Sequence, residues 1–472
     1  METLSKRLLS ATIFAIWLAG LASADLAGRV DAVVESQKKV QFSIQIMEAA
    51  SGATVYEHNA SGAMVPASNM KIIVSAAALK YLGPNYVYKT KVGLRGDTLV
   101  VVGGGDPLLG DSANDSKYGR EPGWIFGDIT AALKRNGRAA INDIVLDSGV
   151  FDDQRVHPSW PQKELNRWYA CEVSGLNFND NCIDITAENG SGAVIVAAEP
   201  QTRYVELINE VVAISAGEQA VGSYRTAQAN RIVIFGKCKD KVGPFFVAIE
   251  RPATFFGFLV AECLAKAGIN IGGQIVEKAV ADQANVTPLT EYRTPIVDCL
   301  TRCNKDSLSL AAESLLKTIA ADSSPDKKWG GWAKGQDLVT QYLISLGISK
   351  EEFYIDDGSG LSTQNRLSAN AIAKVLHNIY KSENWELYKQ SLAVGGVDGT
   401  IARYFKEQQY KGKIFGKTGY ISGVRSFSGV CSTDEGDYIF SILANSADGR
   451  TREAINDIAE AIVDSYSASA TN

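Results

Sequence analysis

The chain has 472 residues, 46% of them hydrophobic and 21% charged, which is a globular composition with material for a large core and, by length, for about three domains. A formal charge of −6, with no stretch dense in Lys or Arg, excludes a nucleic-acid binder. His58, His157 and His377 are far apart and no H-E-x-x-H or paired C-x-x-C accompanies them, so neither a metal nor another cofactor is expected.

Lys6 and Arg7 precede an apolar run over 8–21 and then Ala22-Ser23-Ala24, the three regions of a secretory signal. Export with cleavage after Ala24 is expected, because the run is short for a span that needs about 20 residues. Residues 27–38 read as a short helix. Val40, Phe42, Ile44 and Ile46 then alternate as a strand, and Ser51-Gly52 turns the chain back into Thr54, Val55 and Tyr56, making a hairpin.

Residues 67–82 follow as a helix that is apolar on every side, which predicts burial among other elements, and Gly83-Pro84 ends it. Pro66 holds Val65 extended and helps set Ser68 at the helix mouth, where backbone N–H groups lack intrahelical partners and can face an oxyanion. Lys71 lies one turn on, on the same face. Its amine can take the Ser68 proton if burial or a second cation lowers a pKa that starts near ~10.4. A serine before an apolar helix is more often an N-cap, so this pair needs partners elsewhere.

Short alternating segments resume near Tyr88 and lead to Gly103-Gly104-Gly105-Asp106-Pro107, a turn signal with no Gly-Lys-Ser/Thr behind it and therefore no phosphate loop. Residues 110–192 are polar and irregular, with Trp124, Trp160 and Trp168 among Pro, Asn and Asp. Residues 193–288 are β-rich apart from a helix over 255–267. Beyond Thr294 come helices, then strands over 413–418, 426–432 and 438–445, then an amphipathic helix with Ile455, Ile458, Ala459 and Ile462 on one face. The N-terminal hairpin and the three C-terminal strands are expected in one antiparallel sheet flanked by helices, an α+β domain interrupted by insertion.

Seven cysteines leave at least one thiol unpaired in a monomer. Cys171 and Cys182 bracket a turn-rich segment and are the first choice for a bridge. Cys299 and Cys303, four apart in a helical stretch, are expected unbridged.

Two further stretches can serve Ser68. Lys417-Thr418-Gly419 ends a strand and offers a cation, a hydroxyl and an open edge that can hold a peptide as an added strand. Ser307-Leu308-Ser309 lies in a helix-like run over 304–313, where Ser307 can relay a proton.

In this order, Ser68-Asn69-Met70-Lys71, Ser307-Leu308-Ser309 and Lys417-Thr418-Gly419 resemble the S-x-x-K, S-D-N and K-T-G set of serine penicillin-recognising enzymes. The closest likeness is to the class C low-molecular-mass penicillin-binding proteins, the D-alanyl-D-alanine carboxypeptidase/endopeptidases. Gly104-Gly105-Asp106-Pro107, Asn177-Phe178-Asn179-Asp180-Asn181, Asp357-Gly358-Ser359-Gly360-Leu361-Ser362 and Val397-Asp398-Gly399-Thr400 carry the likeness across nearly the whole mature chain.

The resemblance implies a β-lactamase/transpeptidase-like catalytic domain over 25–88 and 293–472, with two inserted, largely β domains, one over 89–115 and 190–292 and a second nested at 116–189. It implies Ser68 as acylated nucleophile, Lys71 as its base and Ser307 as proton shuttle. Lys417 and Thr418, with Gly419 beside them, would clamp the substrate carboxylate, and the N–H groups of Ser68 and Tyr420 would form the oxyanion hole. Lys417 would also be the second cation beside Lys71. The implied substrates are peptidoglycan stem peptides ending in D-Ala-D-Ala, with β-lactams as covalent inhibitors. Two departures stand out. Ser309 replaces the family's Asn in the middle motif and offers one hydroxyl for an amide's separate donor and acceptor, and Thr363 stands where Arg often follows Ser-Gly-Leu-Ser. Ser309 keeps a non-catalytic or weakly active wall-binding homologue open as the alternative. A β-lactamase is less favoured, since no Glu-bearing deacylation motif can be placed.

Overall fold

The structure, a computed structural model, describes residues 25–190 and 192–467. The secretory signal expected at 1–24 lies outside the described residues. The chain divides into two compact units, one built from residues up to Lys80, Leu300–Ser307 and Val339 onward, the other from Tyr81–Cys299 and Leu308–Leu338.

The first unit is organised on a six-stranded antiparallel sheet in the order Ala393–Val394, Ile414–Ile421, Val424–Thr433, Gly436–Asn445, Gln41–Glu48, Thr54–His58. The N-terminal hairpin and the three C-terminal strands therefore share one sheet, as their alternation predicts. Side chains two apart fall on one face of a strand. On one face Phe42, Ile44, Ile46, Phe427, Phe440 and Ile442 pack with Ile455, Ile458, Ala459 and Ile462 of the helix Thr451–Tyr466 and with Leu26 and Val30 of the helix at 25–36.

The other face is buried too, but it carries Ser43, Gln45, Ser426, Ser428 and Ser441 among its residues. Their hydroxyls and amide are hydrogen-bonded, as burial requires. Ser43 Oγ accepts from the Ala369 amide at the start of the helix Ala369–Tyr380, and Ser428 Oγ donates to Asn69 Oδ1 at 2.6 Å. This polar face receives the helix Met70–Leu82, whose residues from Met70 to Leu79 are all buried.

The second unit holds a five-stranded sheet in the order Ile275–Glu277, Ile144–Asp147, Thr98–Val102, Val87–Arg95, Thr287–Pro295. The helices Trp124–Arg135 and Pro252–Lys266 close its core around Leu99, Ile129, Ile144, Leu146 and Phe256. Two three-stranded sheets complete the unit, Ala220–Arg225, Arg231–Cys238, Glu206–Ala213 and Lys241–Ala248, Cys182–Gly190, Ala193–Glu199. The fold is α+β, with β-rich material inserted in a helix-flanked antiparallel sheet.

The expected Cys171–Cys182 bridge is absent: both are free thiols. Cys182 opens a strand and points its Sγ at the Asp180 carbonyl at 3.3 Å, and burial pushes both thiols up from their ordinary pKa. Bracketing a turn fixes sequence separation, whereas a bridge needs two Cβ vectors aimed at each other.

Candidate active site

Ser68 is the middle residue of a one-turn 3₁₀ helix, Ala67–Asn69, that leads into Met70–Leu82. The tight turn begins with Ala67 in the left-handed region at φ 47°, a costly conformation for a residue with a Cβ. Gly360, itself at φ 82°, permits it, since a Cβ there would fall 1.8 Å from the Ala67 carbonyl oxygen. Lys71 follows one turn later with its side chain fully buried, and its Nζ donates to Ser68 Oγ at 3.0 Å and to the Ser359 carbonyl at 2.8 Å.

That carbonyl is held by the loop at 357–362. Asp357 accepts from the Gly360 and Ser362 amides at 2.8 and 2.7 Å, and Asn365 Nδ2 donates to the same carboxylate at 2.7 Å. These three hydrogen bonds fix the course of the loop.

Lys417, in the strand Ile414–Ile421, is also fully buried. Its Nζ donates to Ser307 Oγ at 2.8 Å and to the Thr418 carbonyl at 2.7 Å. Burial first, and the Lys71 charge second, hold the Lys417 amine well below the usual lysine range. The interaction of the two lysines thus acts on the Lys417 amine.

Asn69 ties this strand to the Ser68 turn, its Nδ2 donating to the Lys417 carbonyl at 2.8 Å, while Ser426 Oγ donates to the Pro66 carbonyl at 2.7 Å. Gly419 completes the approach, because a Cβ there would lie 2.1 Å from Ser426 Oγ and 3.0 Å from the Ser68 nitrogen. Thr418 Oγ1 donates to Thr400 Oγ1 at 2.9 Å. Tyr420, 64% exposed, carries the Arg425 guanidinium 3.7 Å over its ring.

Ser307 departs from expectation. It is not in a helix: Ile296–Asn304 ends before it and Ser309–Asp322 begins after it, leaving Ser307 at φ 64°. The apolar spacing on both sides made one run of two helices. Ser309 is the buried first residue of the second helix, which belongs to the second unit. Thr363 is exposed. Among the described residues no group of His, Cys, Asp and Glu could hold a metal.

Residues 26–466 match the D-Ala-D-Ala carboxypeptidase 3 (S13) family. The chain belongs to that family. A D-alanyl-D-alanine carboxypeptidase of Actinomadura sp. (strain R39) is 27% identical over 462 residues, covering 92% of this chain and 83% of the relative. The D-alanyl-D-alanine carboxypeptidase DacB of Haemophilus influenzae is 23% identical over 402 residues, with 82% and 81% covered. Among solved structures, penicillin binding protein 4 (dacB) from Haemophilus influenzae superposes with a TM-score of 0.78 at 21% identity, over 93% of this chain and 99% of that one.

Within this S13 chain, sequence reasoning missed Asn69, Thr400 and the Ser359 carbonyl. Asn69 sits inside the Ser-x-x-Lys stretch, and Ser359 and Thr400 lie in two other stretches that carry the resemblance. Their roles depend on backbone atoms and a hydroxyl, which residue type alone does not reveal. Among the described residues, no helix is long and apolar enough to cross a membrane.

Proposed function

We propose that the protein is an exported serine D-Ala-D-Ala carboxypeptidase that acylates on Ser68, releasing the terminal D-Ala of peptidoglycan stem peptides and cutting the equivalent bond in cross-links. The observation that carries this reading is the pair of contacts Lys71 Nζ–Ser68 Oγ at 3.0 Å and Lys417 Nζ–Ser307 Oγ at 2.8 Å, two serines each held by a buried amine. Membership of the S13 family supports it.

In this mechanism Ser68 Oγ attacks the carbonyl carbon of the penultimate D-Ala while neutral Lys71 takes its proton. The N–H groups of Ser68 and Tyr420 receive the oxyanion, and Gly419 gives the substrate's strand room to lie along the edge. The C–N bond breaks, the leaving amine takes, through Ser307, the proton that Lys71 removed, and an ester on Ser68 and a neutral Lys71 remain. Water then attacks the ester, Lys71 takes the water's proton, and Ser68 leaves with it.

Lys417 and Thr418 bind the terminal carboxylate. The free site keeps the Lys417 amine low, and an arriving carboxylate supplies the missing counter-charge, so substrate binding favours the ammonium form.

Mass spectrometry of the mature protein with and without penicillin tests the reading. The expected result is one adduct on a peptide containing Ser68, lost in Ser68→Ala, and a mature N-terminus after Ala24. An unmodified wild-type protein, or an adduct that survives in Ser68→Ala, overturns the acyl-enzyme.

A further inference from the structure

The second unit exposes one large aromatic side chain in an expensive way. Trp329 has φ 58°, a region that bulky residues avoid, and its side chain is 53% exposed. The backbone holds it there: the Trp329 amide donates to the Gly149 carbonyl at 3.2 Å and the Gly330 amide to the Val150 carbonyl at 2.9 Å. About half of the indole is left uncovered, so burial accounts for only part of this arrangement.

Trp329 borders a cavity of about 330 Å³ whose other walls are polar, among them Asp153, Arg155, Arg251, Glu277 and Lys278. Its floor is already built. Glu277, 9% exposed, accepts from Ser148 Oγ at 2.7 Å and Arg155 Nη2 at 2.9 Å, and Arg251 Nη2 stands 4.0 Å away. Asp153 and Lys278 remain exposed at the rim.

These features select a ligand by elimination. Three cations against two carboxylates disfavour a cationic guest, and the polar walls disfavour an apolar one. A simple anion would make no use of the indole. A pyranose ring fits all parts, because its C–H face covers an aromatic ring while its hydroxyl and acetamido groups donate to carboxylates and accept from guanidinium groups.

We propose that Trp329 and the cavity beneath it form a glycan-binding site for N-acetylhexosamine units. Resting on the proposed function, the ligand is the glycan strand of the wall polymer whose stem peptides the active site trims. The site would hold the enzyme on its insoluble substrate without touching the reacting bond.

The test titrates the full mature chain with wall glycan strands stripped of their peptides, and with an N-acetylglucosamine tetramer, reading tryptophan fluorescence and heat. Trp329→Gly removes the indole and accepts the positive φ, so folding is kept, and Trp329→Phe restores a smaller ring. Saturable binding is expected for wild type, at least about tenfold weaker in Trp329→Gly and partly recovered in Trp329→Phe. D-Ala release from intact walls falls with it, while release from a soluble pentapeptide and penicillin labelling of Ser68 stay unchanged. No binding by wild type, or equal binding by wild type and Trp329→Gly, overturns the site. Failure of wild type to take penicillin would instead strike the proposed function, and the glycan titration would still be read on its own.

Discussion

Each unit buries lysine, and the two do it in opposite ways. In the second unit Lys317 Nζ meets the Asp152 carboxylate at 2.7 Å and the Gln154 carbonyl at 2.6 Å, and lies 3.9 Å over the Trp332 ring. Burial lowers its pKa, but Asp152 opposes the shift. In the first unit Lys417 makes no ion pair among the described residues: its Nζ donates to a hydroxyl and a carbonyl, and after burial the largest influence on it is the charge of another lysine. A buried amine with a counter-ion is part of the framework. One that faces a hydroxyl, a carbonyl and a like charge is held away from its ordinary pKa, the kind of perturbed group that marks a candidate site.

The comparison breaks first at Lys71. Lys71→Ala should slow penicillin acylation by about 10²–10⁴-fold, the usual worth of a positioned base, with the unfolding midpoint little changed. Stopped-flow acylation reads this, and a loss under tenfold would remove Lys71 as the base. Lys317→Ala should do the reverse. It leaves a cavity and frees Asp152 from its partner, costing about 2–5 kcal/mol in urea unfolding, while the folded fraction acylates at the parent rate. Lys317→Met, which refills the space, should recover much of that loss.

Asp106 extends the comparison to a buried carboxylate without a cation. Burial raises its pKa from 3.8 to about 6, even though Thr294 Oγ1 and the Leu108 amide donate to it at 2.6 and 2.9 Å. The folded state therefore holds this proton to higher pH than the unfolded state. The stabilising contribution is full below pH 4 and is lost as pH rises through 6, by up to about 3 kcal/mol. Asp106→Asn should flatten the slope of unfolding free energy between pH 4 and 6, and an unchanged slope would show that Asp106 does not titrate there.

The smallest effect is expected at Ser309. Ser309→Asn should restore an amide contact worth about 0.5–1.5 kcal/mol, raising acylation by a D-Ala-D-Ala peptide by up to about tenfold and by penicillin less. A fall with the peptide would mean that serine suits this pocket.

Much of this was legible in the chain. The alternation of Phe42, Ile44 and Ile46 and the three C-terminal strands gave the sheet, because period two and burial on one face are written in residue type. The contact of Lys71 with Ser68 was legible because residues three apart share one face of a helix. The polar face of the same sheet was not, since Ser43, Gln45, Ser428 and Ser441 look solvent-facing until the hydrogen bonds that satisfy them are seen. Ser307 was misread because φ 64° depends on contacts distant in sequence. Cys171 and Cys182 misled for the same reason, as closeness along the chain does not set side-chain direction.

Gly419 sets a limit on how this strand can vary. A Cβ at 419 would fall 2.1 Å from Ser426 Oγ and 3.0 Å from the Ser68 nitrogen, so a side chain there displaces the turn behind it before it alters the space in front. Variation along this stretch is left to positions that face outward, such as the exposed Tyr420 ring.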